Sequence, residues 1–314
     1  MRIVVTGATG FLGRHLLPIM IHHFGEADIV GLSSREYNLM DPAEARRLLQ
    51  EQQPDVLVHL AAYSGGIGAN RVYSADFFFR NIMLTVPVFQ AAAQYGVKKL
   101  IYPIGGCSYP AKATSPIDED QMWNGYPQQE SVGYSMAKKM GLVASECYRK
   151  QYGLNSVVVI PGNMYGEYDN FRTNEAHVIP ALVRRFFEAK RERAKEVVVW
   201  GTGKPVRDFV YAGDVAATFP FFIKAYEESG PVNISSGTST SIKELAETIK
   251  ELMDYSGEIV WDCSKPDGQM IKVFDVKRMQ QLGLSCPTSL REGLERTIAW
   301  LAKNFDNAGD GIRL

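Results

Sequence analysis

The stretch Arg2-Ile-Val-Val-Thr-Gly7-Ala-Thr-Gly10-Phe-Leu-Gly13 decides the fold. Its opening is a short β-branched run, the composition of a strand buried on both faces. Gly7, Gly10 and Gly13 follow at a spacing of three, and Leu12, Leu16, Leu17 and Met20 then recur with helical periodicity. A dinucleotide pyrophosphate requires strand, glycine turn and helix in that order. Glycines let backbone approach the phosphates, and a helix N-terminus offers free N–H donors and a positive dipole end. A plain βα turn has no need of three glycines. Gly7, Thr9, Gly10, Phe11, Leu12, Gly13 and Arg14 are therefore expected at a dinucleotide cofactor.

Working outward, Asp28–Leu32, Asp55–Leu60, Lys99–Ile104 and Ser156–Ile160 read as further buried strands. Helices run between them, a long one near Tyr73–Tyr95 and another from Val132 to about Gln151. Strands alternating with helices imply an α/β fold with a doubly wound parallel (Rossmann) sheet. After Pro161 the pattern loosens into helices at His177–Ala189, Ile242–Met253 and Leu290–Phe305, with short strands at Val197–Trp200, Arg207–Val210 and Glu258–Trp261. We expect a dinucleotide-binding domain over 1–160, completed by segments returning from the second half. Residues 161–305 form a smaller, interleaved α+β substrate lobe, and 306–314 a mobile tail.

A 2′-hydroxyl-binding acid is expected at the end of the second strand. Ser33-Ser-Arg35 stands there instead. With Arg14, these residues favour a 2′-phosphate and NADP(H), while Glu36 leaves NAD(H) open. Asp41 either meets the adenine edge or caps the next helix. Leu60, Ala61 and Ala62 leave room for a cofactor beside the third strand, and His59 reads as a packed core histidine.

The chain has 314 residues, 34 basic against 35 acidic, for a net charge of −1. No basic excess points to nucleic acid or an anionic membrane surface. The start runs straight into a strand, so no signal peptide is read, and no apolar run approaches membrane-spanning length. The four cysteines form no Cys-x-x-Cys pair, which argues against structural zinc, and no metal is expected. A reduced, cytoplasmic setting is expected.

Val132-Gly-Tyr134-Ser-Met-Ala-Lys138 carries the candidate chemistry. On a helix, Tyr134 and Lys138 share a face. A cation beside a phenol is expected to lower its pKa and make it a proton shuttle for a carbonyl/alcohol couple.

Together these features resemble the extended short-chain dehydrogenase/reductase superfamily, and most of all the GDP-L-fucose synthase family. The resemblance runs to about Ala302. It rests on Ser64-Gly-Gly-Ile-Gly-Ala-Asn70, Asp169-Asn-Phe171 with His177-Val-Ile-Pro-Ala181, Val197-Val-Val-Trp-Gly-Thr-Gly203 and Ser264-Lys-Pro-Asp-Gly268. It implies an NADP-dependent epimerase/reductase acting on a GDP-4-keto-6-deoxymannose-type sugar. Tyr134 and Lys138 take the place of the reductase pair, and Cys107 and His177 that of the epimerisation acid/base pair. Nucleotide-sugar contacts fall to Ser108, Asn163, Arg185, Trp200, Arg207 and Lys272, and further cofactor contacts to Lys138, Pro161, Asn163 and Met164. A homodimer built from the two long helices is also implied. One departure stands out: the family has a serine two residues before its cysteine, and this chain has Gly105. An epimerase with internal redox and no net reduction, or a non-catalytic NAD(P) sensor, are the alternatives.

Overall fold

The computed structural model describes residues 1–24, 28–172, 175–265, 267–306 and Arg313. The rest of the tail expected to be mobile, and Pro266 of the last family motif, lie outside them. The first half reads β1 (Arg2–Thr6), α1 (Phe11–Phe24), β2 (Asp28–Leu32), α2 (Pro42–Gln52), β3 (Val56–His59), α3 (Ile67–Val72), α4 (Ser74–Gln94), β4 (Lys99–Pro103), α5 (Val132–Tyr152) and β5 (Asn155–Pro161). The second half continues with β6 (Asn163–Tyr165), α6 (Val178–Glu192), β7 (Glu196–Trp200), β8 (Val206–Arg207), β9 (Phe209–Tyr211), α7 (Ala212–Lys224), β10 (Val232–Ile234), β11 (Thr240–Ser241), α8 (Ile242–Leu252), β12 (Glu258–Asp262), β13 (Ile271–Lys272), α9 (Lys277–Gln281) and α10 (Leu290–Asn304).

The central sheet has six strands in the order β10-β5-β4-β3-β1-β2, every neighbouring pair parallel. Its strands are mostly hydrophobic because both faces are covered, with Lys99, Ser156 and Asn233 buried among the apolar residues. Residues of α2, α4 and α5 pack on one face, and those of α1 and α7 on the other. The chain leaves β1 toward β2 and returns on the other side as β3. That reversal opens a crevice beyond the carboxyl ends of β1 and β3. A third apolar cluster, including Phe186, Leu245, Ile249, Leu294 and Leu301, gathers α6, β7, α8 and α10.

Local sequence signals account for many element ends. Asp41 Oδ1 accepts from Ala43 N at 2.8 Å and caps α2, with Pro42 at its first position. Ser241 and Ser289 cap α8 and α10 by accepting from the N–H groups of Glu244 and Glu292. Gly153, at φ +70°, ends α5 in a left-handed turn. Several elements differ from expectation: the helices α7 and α9 and the short strands β6, β11 and β13 were not read in the sequence. The glycine-rich loop after β3 contains the short helix α3, so the long helix starts at Ser74. Strand β10 was not expected, being too short to show a period; it exists because Val232–Ile234 finds the open edge of β5.

His59, at the end of β3, is fully buried. Its Nε2–H donates to the Leu84 carbonyl at 2.7 Å, and its Nδ1 accepts from the Thr6 hydroxyl at 2.7 Å. That leaves a neutral ring, and burial, aided by the Lys138 cation, lowers its pKa from 6.5 to about 3. Between those two values the unfolded chain binds a proton that the folded chain refuses, so stability falls as pH falls through the window. The His59 contribution approaches about 1.4 kcal/mol per pH unit. Urea unfolding across this window should show a correspondingly shallower acid slope for His59→Gln, on top of a lower stability at neutral pH. An unchanged slope would show that His59 does not resist protonation.

Candidate active site

The turn after β1 is packed to backbone contact. A Cβ on Gly7, which has φ +69°, would lie 2.7 Å from the Ala61 nitrogen, and one on Gly13 would lie 2.5 Å from the Gly7 carbonyl oxygen. Side chains are excluded on both sides of the turn; its Ala8 and Gly10 N–H groups donate to the Leu32 and Gly7 carbonyls at 3.1 and 2.9 Å, and the first N–H groups of α1 are left for a ligand. This cradle fits a dinucleotide pyrophosphate. Leu60 donates its N–H to the Thr6 carbonyl at 3.1 Å, which holds Leu60-Ala-Ala62 beside the turn. Arg14 donates from Nε to the Thr9 carbonyl at 3.0 Å and lies 5.4 Å over the Tyr168 ring. At the end of β2, both the N–H and the hydroxyl of Ser33 donate to Glu36 Oε2, at 2.7 and 2.6 Å. Arg35 is exposed beside them. Pro161 closes β5, while Asn163 and Met164 open β6. Asp41 is occupied as the α2 cap described above.

Tyr134 and Lys138 sit on one face of the first turns of α5. A Cβ on Gly105 would lie 3.1 Å from Cys107 Sγ, 3.2 Å from Tyr134 Cε1 and 3.7 Å from the Tyr134 hydroxyl. The thiol and the phenol therefore converge on the one residue that has no side chain. Gly106 next to it is required by packing: a Cβ there would meet Phe274 Cζ at 2.5 Å. Phe274 follows β13, and thereby the second half of the chain is pressed against the end of β4.

The ionisation differs from the expectation. Burial pushes the Tyr134 phenol up, with the Cys107 thiol and the Tyr102 phenol adding to the effect. Burial pushes the Lys138 ammonium down to about 7, partly offset by Cys107. Burial outweighs the expected lowering, and Lys138 Nζ lies 3.9 Å over the Tyr102 ring. Tyr134 is thus held as a proton donor, the form that protonation of a carbonyl oxygen needs.

His177 is the N-cap residue of α6. Its ring opens to solvent on one side, yet the surrounding protein, and then the Arg313 guanidinium, lower its pKa. The loop before it is tied to the glycine loop after β3: Gly66 N–H donates to the Glu175 carbonyl at 2.7 Å, and a Cβ on Gly66 would meet the Ala176 carbonyl at 2.4 Å. Arg207 and Lys272 face each other in register on β8 and β13. Neither has an ion pair among the described residues, and burial lowers the pKa of both. Lys272 also feels the Cys107 thiol, which offsets the lowering in part, and the Arg207 guanidinium, which adds to it. Further out, the Arg185 guanidinium lies 5.2 Å over the exposed Trp200 ring and donates to the Val198 carbonyl at 3.2 Å. Asn163 Nδ2 donates to the Asp208 carbonyl at 2.8 Å. Ser108 is fully buried and its hydroxyl donates to the Ser135 carbonyl at 3.2 Å, away from Cys107.

Tyr102 and Arg313 escaped sequence reasoning, and Asp169 entered it only as part of a family motif. Tyr102 looked like one more apolar strand residue. Asp169 is buried, with Oδ2 lacking a partner among the described residues, and burial raises its carboxyl to about 7. Arg313 holds Phe171 N–H with its carbonyl at 2.8 Å and reaches the Tyr168 carbonyl at 3.4 Å. Its position at the far end of the chain carries no local signal.

Comparison with known proteins agrees with this fold. Residues 3–235 match the model of the NAD dependent epimerase/dehydratase family. The chain is similar to GDP-L-fucose synthase 1 of Arabidopsis thaliana, 37% identical over 98% of this chain and 94% of that protein. In structure it is similar to a GDP-L-fucose synthetase from Naegleria fowleri bound to NADP, with TM-score 0.91 and 27% identity over 98% and 95% of the two chains. It is also similar to a GDP-6-OMe-4-keto-L-xylo-heptose reductase from C. jejuni, with TM-score 0.89 and 26% identity over 96% and 98%. The fold and the crevice thus define an NAD(P)-dependent nucleotide-sugar epimerase/reductase whose cofactor is NADP(H). Within the NAD dependent epimerase/dehydratase family, the chain belongs to the family of the GDP-L-fucose synthases.

Proposed function

We propose that the protein epimerises and then reduces a GDP-4-keto-6-deoxymannose-type sugar. The observation that carries this reading is the convergence of the Tyr134 phenol and the Cys107 thiol on Gly105; Arg207 and Lys272, facing each other on β8 and β13 with no ion pair among the described residues, add a place for an anion. Two like charges on adjacent strands repel unless an anion sits between them, and a nucleotide diphosphate supplies one. Trp200, backed by Arg185, offers a face on which a base stacks.

In this reading Cys107 and His177 work on opposite faces of the sugar. One removes a proton alpha to the C4 carbonyl, the electron pair moves onto the carbonyl oxygen, and the other returns a proton from the far side. Tyr134 donates its hydrogen bond to that oxygen throughout. Reduced cofactor supplies the hydride to C4. Tyr134 then gives its proton to the carbonyl oxygen, with the Lys138 ammonium one helical turn away on the Tyr102 ring. Asn163, Pro161 and Met164 border the cofactor side of this pocket.

Gly105 supports a second reading, reduction without epimerisation. The family serine is an additional donor to the developing oxyanion, and losing such a donor costs roughly two to three orders of magnitude in rate. The similar heptose protein is named as a reductase only. Incubating GDP-4-keto-6-deoxymannose in deuterated water, with the protein holding oxidised cofactor, separates the two. Wild-type protein should incorporate deuterium at C3 and C5, and Cys107→Ser and His177→Asn should each slow this by about a hundredfold or more. Tyr134→Phe should keep NADPH affinity within about twofold while losing most NADPH oxidation. Oxidation of NADPH by wild-type protein with no deuterium uptake would establish the second reading.

The assembly follows the same logic. Phe78, Phe79 and Val86 on α4 and Tyr152 on α5 are exposed, although these two helices already cover the sheet with their other faces. A second copy meeting this face would bury them in a four-helix layer. Light scattering at micromolar concentration should give twice the chain mass, and Phe79→Glu with Val86→Arg should give the monomer. A monomeric wild type would refute the dimer.

A further inference from the structure

Lys138 presents an unusual problem. Its side chain is only 3% exposed. Among the described residues its ammonium makes no hydrogen bond and no ion pair. The groups that face it are Tyr134 on its own helix, Cys107 from the turn after β4, and Tyr102 on β4 with the neutral His59 of β3 behind it. No carboxylate is among them. What holds the cation is the face of the Tyr102 ring, 3.9 Å from Nζ to centroid.

Tyr102 is built for that task. Its ring is fully buried, stacked on His59 at 5.8 Å and 24°, and met edge-on by Phe89 at 5.5 Å. On α5, Gly141 lies one turn beyond Lys138, and a Cβ there would stand 2.1 Å from Tyr102 Cε1. The missing side chain lets the helix backbone come down onto the ring edge. The hydroxyl is also committed. Thr85 Oγ1 donates to the Asn81 carbonyl at 2.7 Å, so its contact with the Tyr102 oxygen, also 2.7 Å, has the phenol as donor. Burial holds that phenol far above its ordinary range, and it stays neutral. Its proton points away from Lys138, so Tyr102 is no acid or base here. Its ring face is what it offers, and such a face attracts a cation most strongly where water is excluded.

We propose that Tyr102 is a positioning residue for the reductase half-reaction, its ring carrying the Lys138 ammonium behind Tyr134 and keeping it charged. This rests on the preceding reading of Tyr134 and Lys138 as the proton relay. A core aromatic that merely fills space has the same packing but no dependence on ring electronics, and that difference decides the test.

Tyr102→Phe and a series of progressively fluorinated phenylalanines at position 102 keep the ring shape while draining charge from its face. In protein labelled with 13C at the lysine ε-carbon, the Lys138 resonance is identified by its loss in Lys138→Met. Its titration midpoint should stay within a few tenths of a pH unit of wild type in Tyr102→Phe. It should then fall stepwise by about one pH unit in total as the ring is fluorinated, because the neutral lysine gains as the cation loses its seat. The alkaline limb of NADPH oxidation with GDP-4-keto-6-deoxymannose should fall by the same amount. A midpoint unmoved across the series overturns the proposal and leaves Tyr102 as packing. A midpoint that moves while the activity limb stays in place removes its role in the relay. If wild-type protein oxidises no NADPH with this sugar but the midpoints still fall, the substrate reading fails and the lysine seat stands.

Discussion

The structure depends on one close approach of backbone to backbone. The turn after β1 lies against Leu60 and Ala61 so tightly that a single Cβ on Gly7 would stand 2.7 Å from a main-chain nitrogen. That contact brings the carboxyl ends of β1 and β3 side by side at the point where the strand order reverses, and it opens the crevice. It also draws the Thr6 hydroxyl onto His59, which stacks on Tyr102, which carries Lys138. The cofactor cradle and the candidate proton relay are thus consecutive links of one packed chain.

The second theme is charge buried without countercharge. Lys138, Arg207 and Lys272 are all pushed toward their neutral forms by burial, and none has a carboxylate partner among the described residues. A core arranged for stability alone pairs such groups or keeps them at the surface. Leaving them unpaired is a cost that anionic ligands relieve, which is why the chain reads as one for phosphorylated, carbonyl-bearing molecules.

The second half of the chain completes the site rather than lying beside it. Phe274 presses on Gly106, and the loop before His177 is bonded to Gly66. Arg313 adds a last contact at Tyr168 and Phe171. The candidate reactive groups therefore come from segments separated by most of the chain, and each is aimed by a partner in another segment.

The fold was legible in the sequence where physics is local. Arg2–Thr6 and Asp28–Leu32 are apolar runs that only a sheet covered on both faces accommodates, and the glycine spacing marks a backbone approach that no side chain permits. Helical periodicity alone placed Tyr134 above Lys138. Cys107, His177, Arg207 and Lys272 were found through family resemblance, because a single thiol, imidazole or cation has no spacing of its own. Tertiary structure decided the rest. It turned the Ser108 hydroxyl onto Ser135, committed Asp41 to a helix cap and gave β10 a partner. It also reversed the expected ionisation of Tyr134. The sign of a pKa shift depends on total burial and on every neighbour brought in from distant segments. A lysine four residues away lowers a phenol's pKa only if its effect exceeds that of burial, and here burial outweighs it, with the lysine nitrogen on the Tyr102 ring.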